Sequence, residues 1–181
     1  MVQNSPQKPL IREFAAGGVV FRKFQISNDK FQIRWLVTRG ISGPKFPDNI
    51  WRLPKGWLDD RENREKPGPL ASGEKKATQE EIREAALKEV REEGGVKAKI
   101  IRKLDTEKYF LNYDGQKILK FVTFYLMEWD KDLPEGFGWE TQEIDWLTFE
   151  DARKRLSYKR EREVLKKAEV VLGRGIQESL I

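Results

Sequence analysis

The stretch ALKEVREEGGV, residues 86–96, has carboxylates at Glu89, Glu92 and Glu93. Residues three or four positions apart lie on the same face of a helix, so Glu89 neighbours both other glutamates. Like charges at these spacings repel by about 0.2–0.5 kcal/mol per pair, and the negative end of the helix dipole adds to this penalty. A divalent cation would reverse the penalty, and all-oxygen ligands favour a hard ion such as Mg²⁺ or Mn²⁺. The alternative is a solvated helix face on which neighbouring basic residues balance the charge.

The residues before this stretch predict one continuous helix. Thr78 is followed three positions later by Glu81, which is the capping-box pattern of a helix start. Apolar side chains then recur at helical spacing, and the pair Gly94-Gly95 marks the end. The three carboxylates are therefore predicted to lie in the last turns of this helix.

Segments rich in β-branched and aromatic residues flank the helix on both sides and predict strands. Those before it are AAGGVVF (15–21), FQIRWLVT (31–38) and the short WRLPKGW (51–57). Those after it are KAKIIRK (97–103), TEKYFLNY (106–113), KILKFVTFYLMEW (117–129) and EIDWLTF (143–149). Two helices, EDARKRL (150–156) and REREVLKKAEVVLG (160–173), end the chain. This succession predicts a single mixed α/β domain over residues 1–181.

One segment between the third strand and the helix fits neither pattern. Residues 59–77, DDRENREKPGPLASGEKKA, are charged, interrupted by Pro and Gly, and nearly free of large apolar side chains. The composition predicts an inserted surface loop, and a long surface insertion costs little in closure entropy. A lid or a partner-binding segment is the alternative.

The composition excludes several kinds of chemistry. The chain has 181 residues, no cysteine and no histidine, so disulfides, thiolate chemistry, a Ser-His-Asp triad and a histidine-ligated zinc are ruled out. The chain has no apolar run near the roughly 20 residues of a membrane helix, and MVQNSPQKPLIREF lacks the apolar core of a signal peptide. A cytoplasmic protein is expected. The net charge of +5 suits a polyanionic partner, or reflects a generally basic surface.

The acidic helix and its flanks resemble the Nudix hydrolase family. That family's signature is Gly, five residues, Glu, seven residues, and then Arg-Glu-apolar-any-Glu-Glu-any-Gly-apolar. Residues 88–96 match the second half with one substitution, Glu80 matches the glutamate before it, and Gly56 best matches the glycine. The resemblance implies a Nudix-type α/β/α sandwich with a mixed β-sheet and a central catalytic helix.

The chain departs from the signature at two points. Lys88 replaces the arginine, and lysine lacks the planar fork that lets arginine bind neighbouring acidic groups. In addition, 23 residues separate Gly56 from Glu80 where the signature has five, so 18 residues are inserted. The pair Gly73-Glu74 offers a rival match.

The resemblance extends over about residues 12–170. The segments WRLPKG (51–56) and KFVTFYLMEW (120–129), and the C-terminal ETQEIDWLTFEDARKRLSYKREREVLKKA (140–168), look like those of diadenosine-polyphosphate hydrolases and related members. The resemblance therefore implies hydrolysis of a phosphoanhydride bond in a nucleoside diphosphate-linked substrate. The leading substrate is a diadenosine polyphosphate. The alternatives are an oxidised nucleoside triphosphate, the 5′ end of an RNA, or a non-catalytic nucleotide- or RNA-binding module.

The resemblance also implies roles for individual residues. Glu89, Glu92 and Glu93 would hold Mg²⁺, with Mn²⁺ as an alternative, and the Gly56 carbonyl would be a further ligand. The base that activates water would be the box glutamate Glu92 or a glutamate before the last strand, where Glu140 is preferred to Glu143. Expected contacts to phosphate or base come from Lys55, Arg39, Lys120, Tyr158 and Lys159. Nucleotide is the expected partner and RNA a second one, without DNA or membrane, and the oligomeric state is left open.

Overall fold

The computed structural model describes residues 8–42, 49–62 and 65–178. The predicted domain and the inserted segment each include positions outside these ranges. The elements, numbered in chain order, are β1 Ile11–Ser27, β2 Lys30–Gly40, β3 Trp51–Arg52, β4 Lys55–Trp57, β5 Asp60–Arg61, β6 Lys66–Pro67, α1 Pro69–Ser72, α2 Gln79–Gly94, β7 Val96–Tyr113, β8 Gln116–Asp132, β9 Thr141–Leu147, α3 Phe149–Arg155 and α4 Lys159–Glu178.

Seven strands form one mixed sheet in the order β3-β2-β1-β8-β7, with β4 paired to β1 and β9 paired to β2. The long strands β1 and β8 pair in parallel, whereas the other pairs are antiparallel. The two predicted strands at 97–103 and 106–113 form the single strand β7, because a register shift against β8 between Lys103 and Asp105 lets the pairing continue through the two residues that separate them.

Alternate residues of β1 point to opposite faces of the sheet and enter two separate cores. Ala15 and Val19 pack in one core with side chains of α4, and Ala16 and Val20 pack in the other with side chains of α2. The sheet therefore lies between two helical layers, and the predicted α/β/α sandwich is confirmed. Within the described ranges, no helix is long and apolar enough to cross a membrane.

Helix α2 has the ends that the sequence predicts. The Thr78 hydroxyl accepts from the Glu81 backbone N–H at 3.1 Å, and the Glu81 carboxylate accepts from the Thr78 N–H at 2.8 Å. Gly95 ends the helix with a φ of 65°, a left-handed conformation that glycine adopts readily. The buried face of α2 includes two carboxylates, Glu89 and Glu93, beside its apolar residues.

The inserted segment has more structure than the surface loop that its composition predicts. Apart from residues 63 and 64, which lie outside the described residues, it contains the β5–β6 hairpin and the one-turn helix α1. The Asp59 carboxylate accepts from the N–H groups of Leu70 and Ala71 at 3.1 and 2.8 Å, and Ala71 is fully buried. Pro69 is favourable in the first turn of α1, and a glycine ends the helix. These contacts and helix ends give the polar segment a defined conformation.

Candidate active site

The connection between β3 and β4, residues 52–55, is held from the α2 side by a buried glutamate. One oxygen of Glu93 accepts from the Arg52 guanidinium at 2.9 Å, and the other accepts from the Lys55 backbone N–H at 2.9 Å. Glu93 is 5% exposed. We call residues 52–55 the phosphate turn, because Lys55 in this turn is expected from the sequence to contact a phosphate.

A second buried glutamate, Glu161 of α4, holds the same turn. Its Oε2 accepts from the Leu53 backbone N–H at 2.7 Å, and its Oε1 accepts from the ammonium of Lys55. The sequence prediction missed this residue. A signal was present, because Glu161 occupies a position of the apolar stripe that Val164, Leu165 and Ala168 continue at helical spacing.

Glu89 packs directly against Gly56, the residue after the phosphate turn. A Cβ atom at Gly56 would overlap the Glu89 carboxylate, lying 2.6 Å from its Oε1, so a larger residue at this position would displace that carboxylate. Burial raises the pKa of Glu89 to about 8, and the charges of Glu93, Glu92 and Glu140 add to this effect while Lys88 opposes it. Loss of negative charge around Glu89, or binding of a cation beside it, would therefore stabilise the folded protein.

The charge state of Glu93 follows from its contacts. Burial raises the pKa of Glu93, whereas Arg52 and the Lys55 N–H oppose the rise. Burial works against the charge of Arg52 too, but Glu93 and Glu161 outweigh it and raise the pKa of the guanidinium. We take the Glu93–Arg52 pair as ionic, because the guanidinium remains protonated and both carboxylate oxygens accept N–H bonds.

Glu92 lies on a more open side of α2 than the other two glutamates. Its side chain is 29% exposed, and its Oε2 is 3.9 Å from the Lys88 ammonium. Lys88 also approaches Asp60 of the inserted segment at 3.4 Å. The lysine that replaces the signature arginine thus still links the helix to neighbouring acidic groups.

Glu140 and Glu143 have different surroundings. The Glu140 charge contributes to the raised pKa values of both Glu89 and Glu93, although burial is the largest cause for each, so its carboxylate shares their electrostatic environment. Glu143 pairs with the Arg39 guanidinium at 2.6 Å across the β2–β9 ladder. Arg39 also donates to Asn49 at 2.9 Å, so this predicted phosphate contact already has two partners.

A turn positions Glu140 and exposes the residue before it. The Gly138 N–H donates to the Glu92 carbonyl at 2.6 Å, and the Thr141 N–H donates to the Gly138 carbonyl at 3.1 Å. Trp139 lies between Gly138 and Glu140 in this turn, and its side chain is 70% exposed. The sequence prediction did not single out this tryptophan.

Lys120 and the phosphate turn belong to one cationic region. The Lys120 ammonium lies 3.6 Å from the Glu13 carboxylate, which also accepts from the Trp57 indole at 2.9 Å. Burial lowers the pKa of Lys120, and the positive charges of Lys55 and Arg52 lower it further while Glu13 opposes the shift. Lys120 therefore shares an electrostatic environment with the cations Lys55 and Arg52, although burial is the largest cause of its shift.

The remaining predicted residues are placed as follows. The Tyr158 ring centroid lies 5.9 Å from the Lys55 ammonium, and Lys159 is exposed at the first position of α4. Glu80 is exposed in the first turn of α2, 3.7 Å from Arg83. Glu74, the rival match, is exposed and pairs with Arg61 at 2.8 Å. Both glutamates thus have local arginine partners on the surface.

The donor set fits a hard divalent cation. Glu89 and Glu93 offer buried carboxylate oxygens, Glu92 and Glu140 add negative charge, and a bound cation would favour the ionised form of Glu89, whose pKa is raised first by burial. Among the described residues no three carboxylates converge into a ready-made metal cluster. Glu93 pairs instead with Arg52 at 2.9 Å, and Glu92 lies 3.9 Å from Lys88.

The layered mixed sheet and the carboxylate helix against a glycine turn define the class of the fold, an α/β/α sandwich. The NUDIX domain model matches residues 18–168. The chain therefore belongs to the Nudix hydrolase family, as the sequence predicts. Members of this family act on nucleotide substrates and generally use divalent metal ions.

Three relatives illustrate the range of the family. MutT4 of Mycobacterium tuberculosis, which its name classes among mutator proteins, is 25% identical over 178 residues. That match covers 95% of this chain but only 60% of the relative. The Caenorhabditis elegans Ap4A hydrolase in a binary complex has a TM-score of 0.56 and 23% identity, covering 89% of this chain and 98% of that one. A NUDIX hydrolase from Nitrosomonas europaea has a TM-score of 0.59 and 14% identity, covering 88% and 89%. At these identities the solved structures support the fold alone.

Proposed function

We propose that this protein is a Mg²⁺-dependent pyrophosphohydrolase that cleaves a phosphoanhydride bond in a dinucleoside polyphosphate such as diadenosine tetraphosphate. The main supporting observation is the phosphate turn, where the cations Arg52 and Lys55 lie beside the buried carboxylate Glu93. A polyphosphate chain needs cations around it and a metal-binding group next to it, and this arrangement supplies both. The choice of substrate follows the sequence resemblance to diadenosine-polyphosphate hydrolases, and the Ap4A hydrolase among the solved structures shares the fold.

Glu89, Glu93 and Glu92 would hold the metal ion, and the Gly56 carbonyl would be a further ligand. A bound divalent ion neutralises charge that develops on phosphoryl oxygens and lowers the pKa of a bound water. Mn²⁺ is an alternative for the same oxygen ligands.

The side chains of the chain itself have three tasks in this proposal. Lys55, Lys120 and Arg52 neutralise the phosphates, and Tyr158 and Lys159 contact the nucleoside or an outer phosphate. Glu140 takes the proton from the attacking water, with Glu92 as the alternative base. The water oxygen bonds to phosphorus, the phosphoanhydride P–O bond breaks, and the leaving nucleotide takes the electron pair.

Incubation of the purified protein with diadenosine tetraphosphate and Mg²⁺ tests this proposal. We expect hydrolysis that needs the metal and stops when EDTA is added. If diadenosine tetraphosphate is left intact while another nucleoside diphosphate derivative is cleaved, the substrate assignment is wrong and the reaction class is retained. If a broad nucleotide panel with Mg²⁺ or Mn²⁺ shows no turnover, the proposed reaction is wrong.

A second candidate function is removal of pyrophosphate from an oxidised nucleoside triphosphate or from the 5′ end of an RNA. The mycobacterial relative is named as a mutator protein, and the net charge of +5 suits RNA. Release of pyrophosphate from an oxidised deoxyguanosine triphosphate, or from triphosphorylated RNA, without cleavage of diadenosine tetraphosphate would favour this candidate. Tight nucleotide binding without turnover would instead support a non-catalytic module.

A further inference from the structure

We propose that Glu161 is a positioning residue for the reaction, because it fixes the Lys55 ammonium where it can receive a substrate phosphate. Glu161 lies in the C-terminal helix, far along the chain from the acidic helix α2. The inference rests on the proposed function, since it gives Lys55 a phosphate to bind.

The position of Glu161 within α4 is unusual for a carboxylate. The side chains at the same helical stripe, Val164, Leu165 and Ala168, are fully buried, and Glu161 is 4% exposed. Burial of a carboxylate is unfavourable unless it has charged and hydrogen-bonding partners. Replacement of such a pair by apolar residues is often neutral or stabilising, so fold stability alone gives little reason for a glutamate here.

Both oxygens of Glu161 contact the phosphate turn. One accepts from the Leu53 N–H at 2.7 Å and the other accepts from the Lys55 ammonium, and the Lys55 side chain is only 13% exposed. The chain before α4 is joined to the same region, because Ser157 and Trp51 exchange two hydrogen bonds, each of 2.9 Å. The carboxylate is therefore rigidly placed relative to the turn.

Lys55 is thus held through both its backbone and its side chain. Glu93 accepts from its backbone N–H at 2.9 Å, while Glu161 binds its ammonium. A lysine ammonium has three donors, so two remain for phosphate oxygens when Glu161 occupies one. A cation that is already oriented needs little reorganisation when charge develops on the phosphate.

Steady-state kinetics of two matched variants test the proposal. Glu161→Gln keeps the shape and an acceptor for the Leu53 N–H but removes the charge that orients Lys55. Glu163→Gln removes a carboxylate from an exposed position of the same helix. We expect Glu161→Gln to lower kcat/KM by about tenfold, through KM as well as kcat because a displaced Lys55 contacts the phosphate less well, and Glu163→Gln to change it by less than about twofold.

A double-mutant cycle with Lys55→Met shows whether Glu161 acts through the lysine. We expect the double variant to lose no more activity than Lys55→Met alone, since the role of Glu161 disappears with its partner. Additive losses would overturn the proposal, as would kinetics of Glu161→Gln equal to those of Glu163→Gln. A lower unfolding temperature with unchanged kcat and KM would also overturn it, because it shows a purely structural ion pair.

Glu161→Asp keeps the proposal testable if Glu161→Gln does not fold. The shorter side chain retains the charge but withdraws it from Lys55, so we expect a loss in kcat here too, and wild-type kinetics would overturn the proposal. Failure of the proposed function gives a different result, since the wild-type protein itself would then turn over none of the nucleotides. In that case the affinity for a non-hydrolysable diadenosine polyphosphate, measured by calorimetry, replaces kinetics. An equal affinity in Glu161→Gln and wild type would overturn the proposal.

Discussion

Glu93 and Glu161 both bind the turn at residues 52–55, and share Lys55, although their helices pack on opposite faces of the sheet. Each glutamate accepts hydrogen bonds from one backbone N–H and from one cationic side chain of the turn. The turn is therefore fixed by both helical layers at once. A change in either glutamate is expected to alter the geometry of the turn as well as the local charge.

We predict that Glu93→Gln loses metal-dependent turnover by about 100-fold or more, because it removes a carboxylate from the metal-binding group. The structure adds a cost in stability, since Arg52 loses its counter-ion at 2.9 Å. The expected decrease in the free energy of unfolding is about 1–3 kcal/mol. Kinetics with Mg²⁺ and urea unfolding measure the two effects. Glu84→Gln, at an exposed position of the same helix, is the control. Unchanged activity in Glu93→Gln would show that this carboxylate is not a ligand.

The raised pKa of Glu89 predicts how the stability of the metal-free protein depends on pH. The pKa rises from 4.5 to about 8, mainly through burial, so between these values the folded chain binds more protons than the unfolded chain. Protonated Glu89 favours the folded state. This contribution to stability is fully present below pH 4.5 and is lost as the pH rises through about 8. The shift corresponds to at most about 5 kcal/mol.

Urea unfolding in EDTA at about pH 6 and about pH 9 measures this dependence. We expect Glu89→Gln to lose less stability than the wild type between the two values, because its side chain has no proton to release. Added Mg²⁺ should raise the unfolding temperature of the wild type, most strongly at the higher pH where the carboxylate is already ionised. An identical pH dependence in the two proteins would contradict the assignment of the shift to Glu89.

The sequence predicts the helix α2 well because its determinants are local. The capping box at Thr78, the apolar spacing and the glycine at its end all lie within the helix or next to it. The contacts of the phosphate turn could not be predicted in the same way. Glu161 is 106 residues from Lys55 along the chain, and only the packing of α4 on the sheet brings them together.

The partners of Lys120 show the same limit. This lysine pairs with Glu13 because β1 and β8 are parallel neighbours, with Glu13 directly opposite Lys120 in the register. The strands are recognisable from their composition, but their order in the sheet is a non-local property. The hairpin and short helix of the inserted segment could not be predicted for another reason, because the Asp59 carboxylate binds two backbone N–H groups that lie 11 and 12 residues further along the chain.

Gly56→Ala is predicted to damage both the fold and the site. The added methyl group would overlap the Glu89 carboxylate, so either the turn or the α2 side chain must move. We expect a loss of about 1–3 kcal/mol in the free energy of unfolding and a large loss of turnover. Gly173→Ala in α4 is the matched control, because a Cβ there meets no atom within 4 Å. That variant should be slightly more stable, since alanine favours a helix over glycine by about 1 kcal/mol. Equal behaviour of the two variants would contradict the close approach of Gly56 and Glu89.

Trp139 offers a test of the nucleotide part of the proposed function. Its exposed side chain lies on the turn that joins Glu92 to Glu140, so a nucleobase bound at the edge of the site has an aromatic surface on which to stack. Stacking of a base on an aromatic side chain contributes about 1–3 kcal/mol, so Trp139→Ala should raise KM for the nucleotide about tenfold. Because the side chain is 70% exposed, the free energy of unfolding should change by less than about 0.5 kcal/mol. Phe110→Ala, which removes a 55% exposed aromatic ring from β7, should leave KM unchanged. Quenching of tryptophan fluorescence by a non-hydrolysable nucleotide, measured in wild type and Trp139→Ala, gives an independent readout. If quenching is the same in both proteins, the base does not stack on Trp139.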